Sequence, residues 1–256
     1  MYTIIDGRKV SAEIKQEIGA EVNELIRKGK KVPHLAAVLV GNDGSSVTYV
    51  NNKVKDCAEV GFKSTLLRYD DNITEAFLLE RIAALNADSD VDGFIVQLPL
   101  PGHISENKVI ESIDPAKDAD GFHPENIGRM MIGLPGYLPA TPYGIIELIK
   151  RYGIQTTAKN CAVIGRSNIV GRPVSILMSQ KGMDATVTLL HSKTRNIKDI
   201  VREADIIIAA IGSPGFVTAD MVREGAVVID VGTTRIPAPG TKSGFRLAGD
   251  VDFENV

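Results

Sequence analysis

"CAVIGRSNIVGRP", residues 161–173, decides how the fold is read. An unbroken apolar run from Cys161 to Ile164 ends at Gly165, and a helix-forming segment opens after Gly171. A short apolar run of this kind suits a strand buried on both faces. Gly165 permits the tight bend that follows, and Gly171 permits the helix to approach the strand closely. The stretch therefore predicts strand, turn and helix, the opening unit of a parallel α/β layer.

The turn is similar to the G-x-G-x-x-G pattern that receives a dinucleotide, with two departures. Ser167 stands at the second glycine, and the first and last glycines are one residue further apart. The helix N-terminus beyond the turn is expected to offer free N–H groups to an anion. The next strand, "ATVTLLH", ends in His191, Ser192, Lys193 and Thr194. An NAD site would place a carboxylate there to hold the ribose 2′-hydroxyl. A hydroxyl and a cation suit a 2′-phosphate instead, so NADP is the expected cofactor. The planar fork of Arg166 suits the same phosphate.

Outward from this turn, strand-like and helix-like segments alternate along nearly the whole chain. Downstream, "RPVSILMSQKG", "IKDIVREA" and "TADMVREG" read as helices, and "DIIIAAIG" and "AVVIDVG" as strands. Gly165, Gly212 and Gly232 recur at strand carboxyl ends, where open α/β sheets bind ligands. Upstream, "KVSAEIKQEIGAEVNELIRKG" carries Val10, Ile14, Ile18, Val22 and Leu25 at helical spacing. "HLAAVLVG", "KSTLLRYD" and "VDGFIVQLPLP" read as strands. "SVTYVNNKVKDCAEVG" and "ITEAFLLERIAALNAD" read as helices, the second with Thr74 as N-cap. The Gly-, Pro- and Asp-rich stretch 101–140 carries one short helical pattern and reads as a loop region that builds a site. "TPYGIIELIKRYG" then reads as a helix with Thr141 as N-cap and Pro142 in its first turn. Two α/β domains with a boundary near residue 140 are expected, the second a Rossmann-like parallel sheet.

Composition narrows the function classes. The 256 residues, 44% of them hydrophobic, suffice for one large or two modest cores. A formal net charge of −3 gives no sign of a nucleic-acid surface. No apolar run approaches the roughly 20 residues a membrane span needs, and the N-terminus lacks the apolar stretch of a signal peptide. Cys57 and Cys161 lie far apart, and the four histidines show no paired spacing, so no metal site is expected. A reduced, cytoplasmic setting fits this cysteine usage.

"YVNNK", residues 49–53, places Tyr49 and Lys53 as neighbours on one helix face. Val47, Val50, Val54, Cys57 and Ala58 form the apolar stripe that Lys53 flanks. A lysine at such an edge is partly dry, which lowers its pKa toward the acid–base range. The same spacing fits a lysine that reaches to water and a tyrosine that packs its ring. Short-chain dehydrogenases also carry Tyr-x-x-x-Lys, but their glycine turn precedes the tyrosine, whereas here it follows by more than a hundred residues.

Several stretches in series resemble the bifunctional methylenetetrahydrofolate dehydrogenase/cyclohydrolase family. They are "TYVNNKVKDCAEVGF", "DGFIVQLPLP", "DPAKDADGFHPENIGRM", "PATPYGIIELI" and "VIGRSNIVGRPVS", followed by "HSKT" and "VIDVGTTR". The resemblance implies a folate-binding catalytic domain over residues 1–140 and an NADP-binding domain over 141–256, with the active site in the cleft between them. It implies oxidation of 5,10-methylenetetrahydrofolate by NADP, then hydrolysis of the methenyl product to 10-formyltetrahydrofolate. By motif, Lys53 is the acid/base for hydrolysis and Tyr49 packs on the substrate. Gln97 hydrogen-bonds Lys53 and sets its protonation, and Asp120 holds the pterin ring through paired N–H donors. Gly165, Arg166, Ser167 and Gly171 form the cofactor turn, and Ser192 meets the 2′-phosphate. Thr233 stands where many relatives carry an isoleucine whose backbone meets the nicotinamide end. The intact Lys53 and Gln97 argue against a member that has lost hydrolysis. Tetrahydrofolate derivatives are the implied substrates and a homodimer through the second domain the implied assembly, with no nucleic-acid or membrane partner. Family members usually continue past "GDVDFENV" with a helix, a strand, a Pro-Gly-Gly-Val-Gly-Pro turn and a last helix.

Overall fold

The computed structural model describes residues 2–241 and 244–256. The chain folds as two compact units, Met1–Ala140 and Thr141–Val256. In the first, β1 (His34–Val40), β2 (Lys63–Tyr69) and β3 (Gly93–Val96) form a parallel sheet of order β2-β1-β3. The long helices α1 (Gly7–Arg27), α2 (Gly44–Val60) and α3 (Glu75–Ala87) connect or precede these strands. Residues of β1 alternate between two cores, as a strand covered on both faces must. Ala36, Val38 and Val40 pack with Leu78 and Ile82 of α3, and with Phe94, Val96 and Val109. Ala37 and Leu39 pack with Val50 of α2 and Ile95 on the other face.

Two short helices, α4 (Glu106–Ser112) and α5 (Pro124–Met131), break up the 101–140 stretch, where one was expected. α5 starts because His123 Nδ1 accepts the Glu125 N–H at 3.1 Å and Pro124 is preorganised for a first turn. Thr74 caps α3 as expected, its Oγ1 accepting the Phe77 N–H at 3.1 Å. Helix α6 (Ala140–Arg151) starts at Ala140, so Thr141 falls within its first turn and is not its N-cap.

The second unit holds β4 (Asn160–Ile164), β5 (Thr186–Leu190), β6 (Ile206–Ala209) and β7 (Val227–Asp230) in a parallel sheet of order β5-β4-β6-β7. Helices α7 (Gly171–Ser179) and α8 (Ile197–Arg202) follow β4 and β5. The strand order reverses between β4 and β6, which makes their carboxyl ends the crevice of this sheet. "TADMVREG" forms only a 3₁₀ turn, Ala219–Met221. Arg223 explains the early stop: its Nε donates to Ala204 O at 3.0 Å and its fork pairs with Asp205. An antiparallel ribbon, β8 (Thr234–Pro237) with β9 (Phe245–Ala248), completes the unit. No described helix is long and apolar enough to cross a membrane.

Candidate active site and dinucleotide site

In the first unit, α2 delivers Tyr49 and Lys53. Asp43 starts this helix, accepting the Ser46 N–H at 2.8 Å and the Ser45 hydroxyl. Those two bonds, the Ser45 one first, hold the Asp43 carboxyl down at about 2. Gly61 ends the helix in the left-handed region, φ 84°. Ser46, Val50, Cys57 and Val60 are its buried residues. Ala58, expected in the stripe, is exposed, and Val54 is only half-buried. Lys53 sits at the edge of this face, its side chain 35% exposed.

Its partner comes from the loop after α4. Phe94 N–H donates to Lys117 O at 2.8 Å and Ala119 N–H to Phe94 O at 3.3 Å, so this loop runs along β3 as a short edge. Ala119 packs on the core that Val50 of α2 also enters. Asp120 is thereby carried to Lys53, and Lys53 Nζ donates to Asp120 Oδ1 at 3.2 Å. Burial pushes the Asp120 carboxyl up, Lys53 pulls it back down, and the Asp118 charge adds to the rise.

Asp118, which sequence reading passed over, holds the loop in shape. It is 2% exposed. Its carboxylate accepts the N–H groups of Gly121 (3.1 Å) and His123 (2.8 Å) and the Asn126 amide (2.9 Å). The motif "DADGF" thus divides its two carboxylates between turn building and Lys53.

Gln97 follows β3, its N–H donating to Val38 O at 2.9 Å. The expected bond between Gln97 and Lys53 is not formed here. Gln97 Nε2 donates instead to Leu98 O at 2.7 Å, and Lys53 pairs with Asp120. Gln97 Oε1 is buried without a hydrogen-bond partner among the described residues. Such an atom is costly to leave alone and suits an incoming donor.

In the second unit, Gly165 turns the chain at φ 119°, and a Cβ there would lie 2.2 Å from Ala210 O. A Cβ on Gly171 would lie 2.0 Å from Gly165 O, so the strand–helix approach does require glycine. The α7 N-terminus differs from expectation, because its N–H groups are already engaged. Gly171 N–H donates to Ser167 Oγ at 3.3 Å and Arg172 N–H to Ser167 O at 3.1 Å, while Pro173 has none. The N–H groups left without acceptors among the described residues are those of Arg166, Ser167, Asn168 and Ile169. Four successive N–H groups of this turn are thus available to an incoming acceptor.

Register brings the basic ends together. Ile164 of β4 pairs with Leu190 of β5, so Arg166 and Ser192 each lie two residues past paired strand ends. Both are exposed, as is Lys193, and no carboxylate lies in 165–168 or 191–194. A donor-lined turn beside a cation and a hydroxyl fits a dinucleotide carrying a 2′-phosphate. Thr233 lies past β7 at the same carboxyl edge, and its neighbour Thr234 donates through Oγ1 to Gly212 O at 3.3 Å.

A doubly wound sheet with this turn, in a chain that also carries a lysine–aspartate centre, defines a dinucleotide-dependent α/β enzyme. The sequence profile of the tetrahydrofolate dehydrogenase/cyclohydrolase catalytic domain matches residues 5–120, and that of its NAD(P)-binding domain matches 139–256. The chain belongs to the tetrahydrofolate dehydrogenase/cyclohydrolase family. It is 62% identical over 257 aligned positions to the bifunctional protein FolD of Porphyromonas gingivalis, covering 100% of this chain and 87% of that protein. The bifunctional methylenetetrahydrofolate dehydrogenase/cyclohydrolase of Campylobacter jejuni superposes with a TM-score of 0.93 at 44% identity, over 99% of this chain and 87% of that one. The Trypanosoma brucei dehydrogenase-cyclohydrolase, solved with NADP and an inhibitor, gives 0.94 at 38% identity, over 98% and 86%.

Proposed function

We infer that the protein is a bifunctional enzyme of one-carbon metabolism. It oxidises 5,10-methylenetetrahydrofolate to 5,10-methenyltetrahydrofolate with NADP and hydrolyses that product to 10-formyltetrahydrofolate. NADP, when bound, accepts the hydride. The observation that carries the reading is the Lys53–Asp120 pair, an ammonium held 3.2 Å from a mostly dry carboxylate on matched family motifs.

We assign the folate-binding catalytic role to residues 1–140 and the NADP-binding role to 141–256, a division supported by the two compact units. In hydrolysis the neutral amine of Lys53 takes a proton from the attacking water, and the ammonium so formed returns it to the opening ring nitrogen. Tyr49, four residues before it and half exposed, supplies a ring face for the substrate. Asp120 accepts paired N–H donors of the pterin, and substrate that engages it draws it from Lys53. Gln97 Oε1 is the acceptor we assign to Lys53 once Asp120 is drawn away, holding the ammonium in place for its proton return. Arg166 and Ser192 hold the 2′-phosphate; Gly165, Ser167 and Gly171 shape the phosphate turn, and Thr233 stands at the nicotinamide end.

The assembly is a homodimer formed through the second unit. Support comes from the ribbon, where Phe245 and Leu247 alternate onto one face of β9 at 52% and 66% exposure. The setting is cytoplasmic, in keeping with two free thiols, Cys57 and Cys161. NADP reduction with 5,10-methylenetetrahydrofolate, followed at the NADPH and methenyl absorbances, tests the activity. No methenyl signal would refute it. Sedimentation showing only monomer would refute the dimer.

A further inference from the structure

Asp250 is fully buried, 0% exposed. Its carboxylate accepts three successive N–H groups from the loop after β6: Ile211 at 2.7 Å, Gly212 at 3.0 Å and Ser213 at 2.6 Å. A second carboxylate, Asp230 at the end of β7, holds Asp250 in turn. It accepts the N–H groups of Asp250 (2.8 Å), Val251 (3.1 Å) and Gly232 (3.0 Å). The two packing sites are filled reciprocally. A Cβ on Gly232 would lie 2.4 Å from Asp250 Oδ1, and one on Gly249 would lie 1.8 Å from Asp230 Oδ2. The clasp therefore leaves no slack at either glycine.

What the clasp fixes is the loop beside the dinucleotide turn. Ala210 O is the atom that a Cβ on Gly165 would strike, and Ala210 N–H donates to Ile164 O at 2.8 Å. On the other side, Thr234 Oγ1 donates to Gly212 O at 3.3 Å, next to Thr233. Residues 210–213 thus run between the phosphate turn and the Thr233 turn, at the switch point of the sheet. Loops at such a point depend on their supporting residues for geometry.

We propose that Asp250 is a positioning residue for NADP: its buried carboxylate, braced by Asp230, sets the 211–213 loop at the height the dinucleotide requires. It acts through the loop backbone and touches no substrate. The inference rests on the NADP reading above.

The test is Asp250→Asn in the full chain. An amide has one oxygen acceptor and cannot receive all three N–H groups without turning its own NH₂ toward one of them. Losing one such charge-assisted bond is expected to weaken NADP binding about tenfold or more. Dissociation constants by titration calorimetry should show this, and the KM for NADP should rise in step. The KM for 5,10-methylenetetrahydrofolate and the NADP-independent hydrolysis of methenyltetrahydrofolate should stay at parent values. A variant with lower Tm but parent NADP affinity makes Asp250 a stability residue only and overturns the proposal. If Asp250→Asn does not fold, Asp230→Asn decides. It weakens the brace on the Asp250 and Val251 N–H groups and should weaken NADP binding several-fold, and parent affinity there overturns the proposal. A parent chain that binds NADP without turnover refutes the reaction and leaves this inference standing. One that binds no NADP refutes both.

Discussion

Replacing Lys53 by Met tests the lysine–aspartate centre on two axes. The charges lie 3.2 Å apart, and at an effective dielectric of about 20 such a separation gives about 5 kcal/mol of gross attraction. Solvent reaches 35% of the Lys53 side chain but only 16% of Asp120. Screening at the lysine and the desolvation of both groups reduce the net loss to about 1–2 kcal/mol. The sign with pH follows from Asp120. Burial already raises its carboxyl above 3.8, the ordinary value, and Lys53 is what restrains the rise. A raised carboxyl contributes stability below its unfolded pKa and loses it as pH climbs through the folded one. Without Lys53 that folded value climbs further, so the ionised state costs more. Lys53→Met should match the parent near pH 4 and melt roughly 3–6 °C lower near pH 7.5. Calorimetry at the two pH values reads this directly. Adding Asp120→Asn should restore most of the neutral-pH loss, since the stranded charge is then gone. Methenyl hydrolysis should fall about 10²- to 10⁴-fold, the usual range for a lost acid/base. An equal Tm deficit at both pH values would remove Asp120 from the account. Hydrolysis at the parent rate would remove Lys53 from catalysis.

Three other substitutions probe the supports of the two sites. Gly171→Ala would put a methyl 2.0 Å from Gly165 O, so the turn must open. NADP affinity should drop by about tenfold or more, with methenyl hydrolysis retained, and parent affinity would show that the turn yields freely. Asp118→Ala strands the N–H groups of Gly121 and His123 and the Asn126 amide. Chemical denaturation followed by circular dichroism should show a loss of about 3 kcal/mol or more, with hydrolysis impaired because Asp120 loses its place. Asp43→Ala removes the α2 cap and should cost about 1 kcal/mol at neutral pH. The Asp43 carboxyl is held at about 2, so its contribution is complete above 3.8 and disappears as pH falls through about 2. The gap between variant and parent should close over that window.

Much of the architecture is legible in the sequence because parallel strands covered on both faces must be nearly continuous apolar runs. Residues 35–40, 93–96, 161–164 and 206–209 are all of this kind. The parts that escaped are set by polar contacts between distant segments. "TADMVREG" has helical spacing, but Arg223 is drawn to Ala204 and Asp205, nearly twenty residues back. The ribbon β8–β9 is mostly exposed and contains Pro237, so no apolar alternation announces it. Ser167 was legible as a departure from the glycine pattern. Its consequence was not, because it depends on where the hydroxyl points. By accepting the Gly171 N–H it closes the helix end and leaves the loop to supply donors.

The aspartates show the same division most sharply. Asp118 and Asp120 stand two residues apart in one motif, and nothing in the letters separates them. The separation comes from the donors around each. The turn at Gly121, φ 70°, brings the N–H groups of Gly121 and His123 onto Asp118, and α5 adds the Asn126 amide. A carboxylate so surrounded has its acceptor sites largely used by the protein. Asp120 pairs with Lys53 among the described side chains and keeps acceptor capacity for a ligand. Asp230 and Asp250 belong with Asp118: each accepts three backbone N–H groups of the chain itself. A carboxylate saturated by the chain's own backbone shapes a site, and one left partly unsatisfied beside a lysine is the one that can take part in binding and proton transfer.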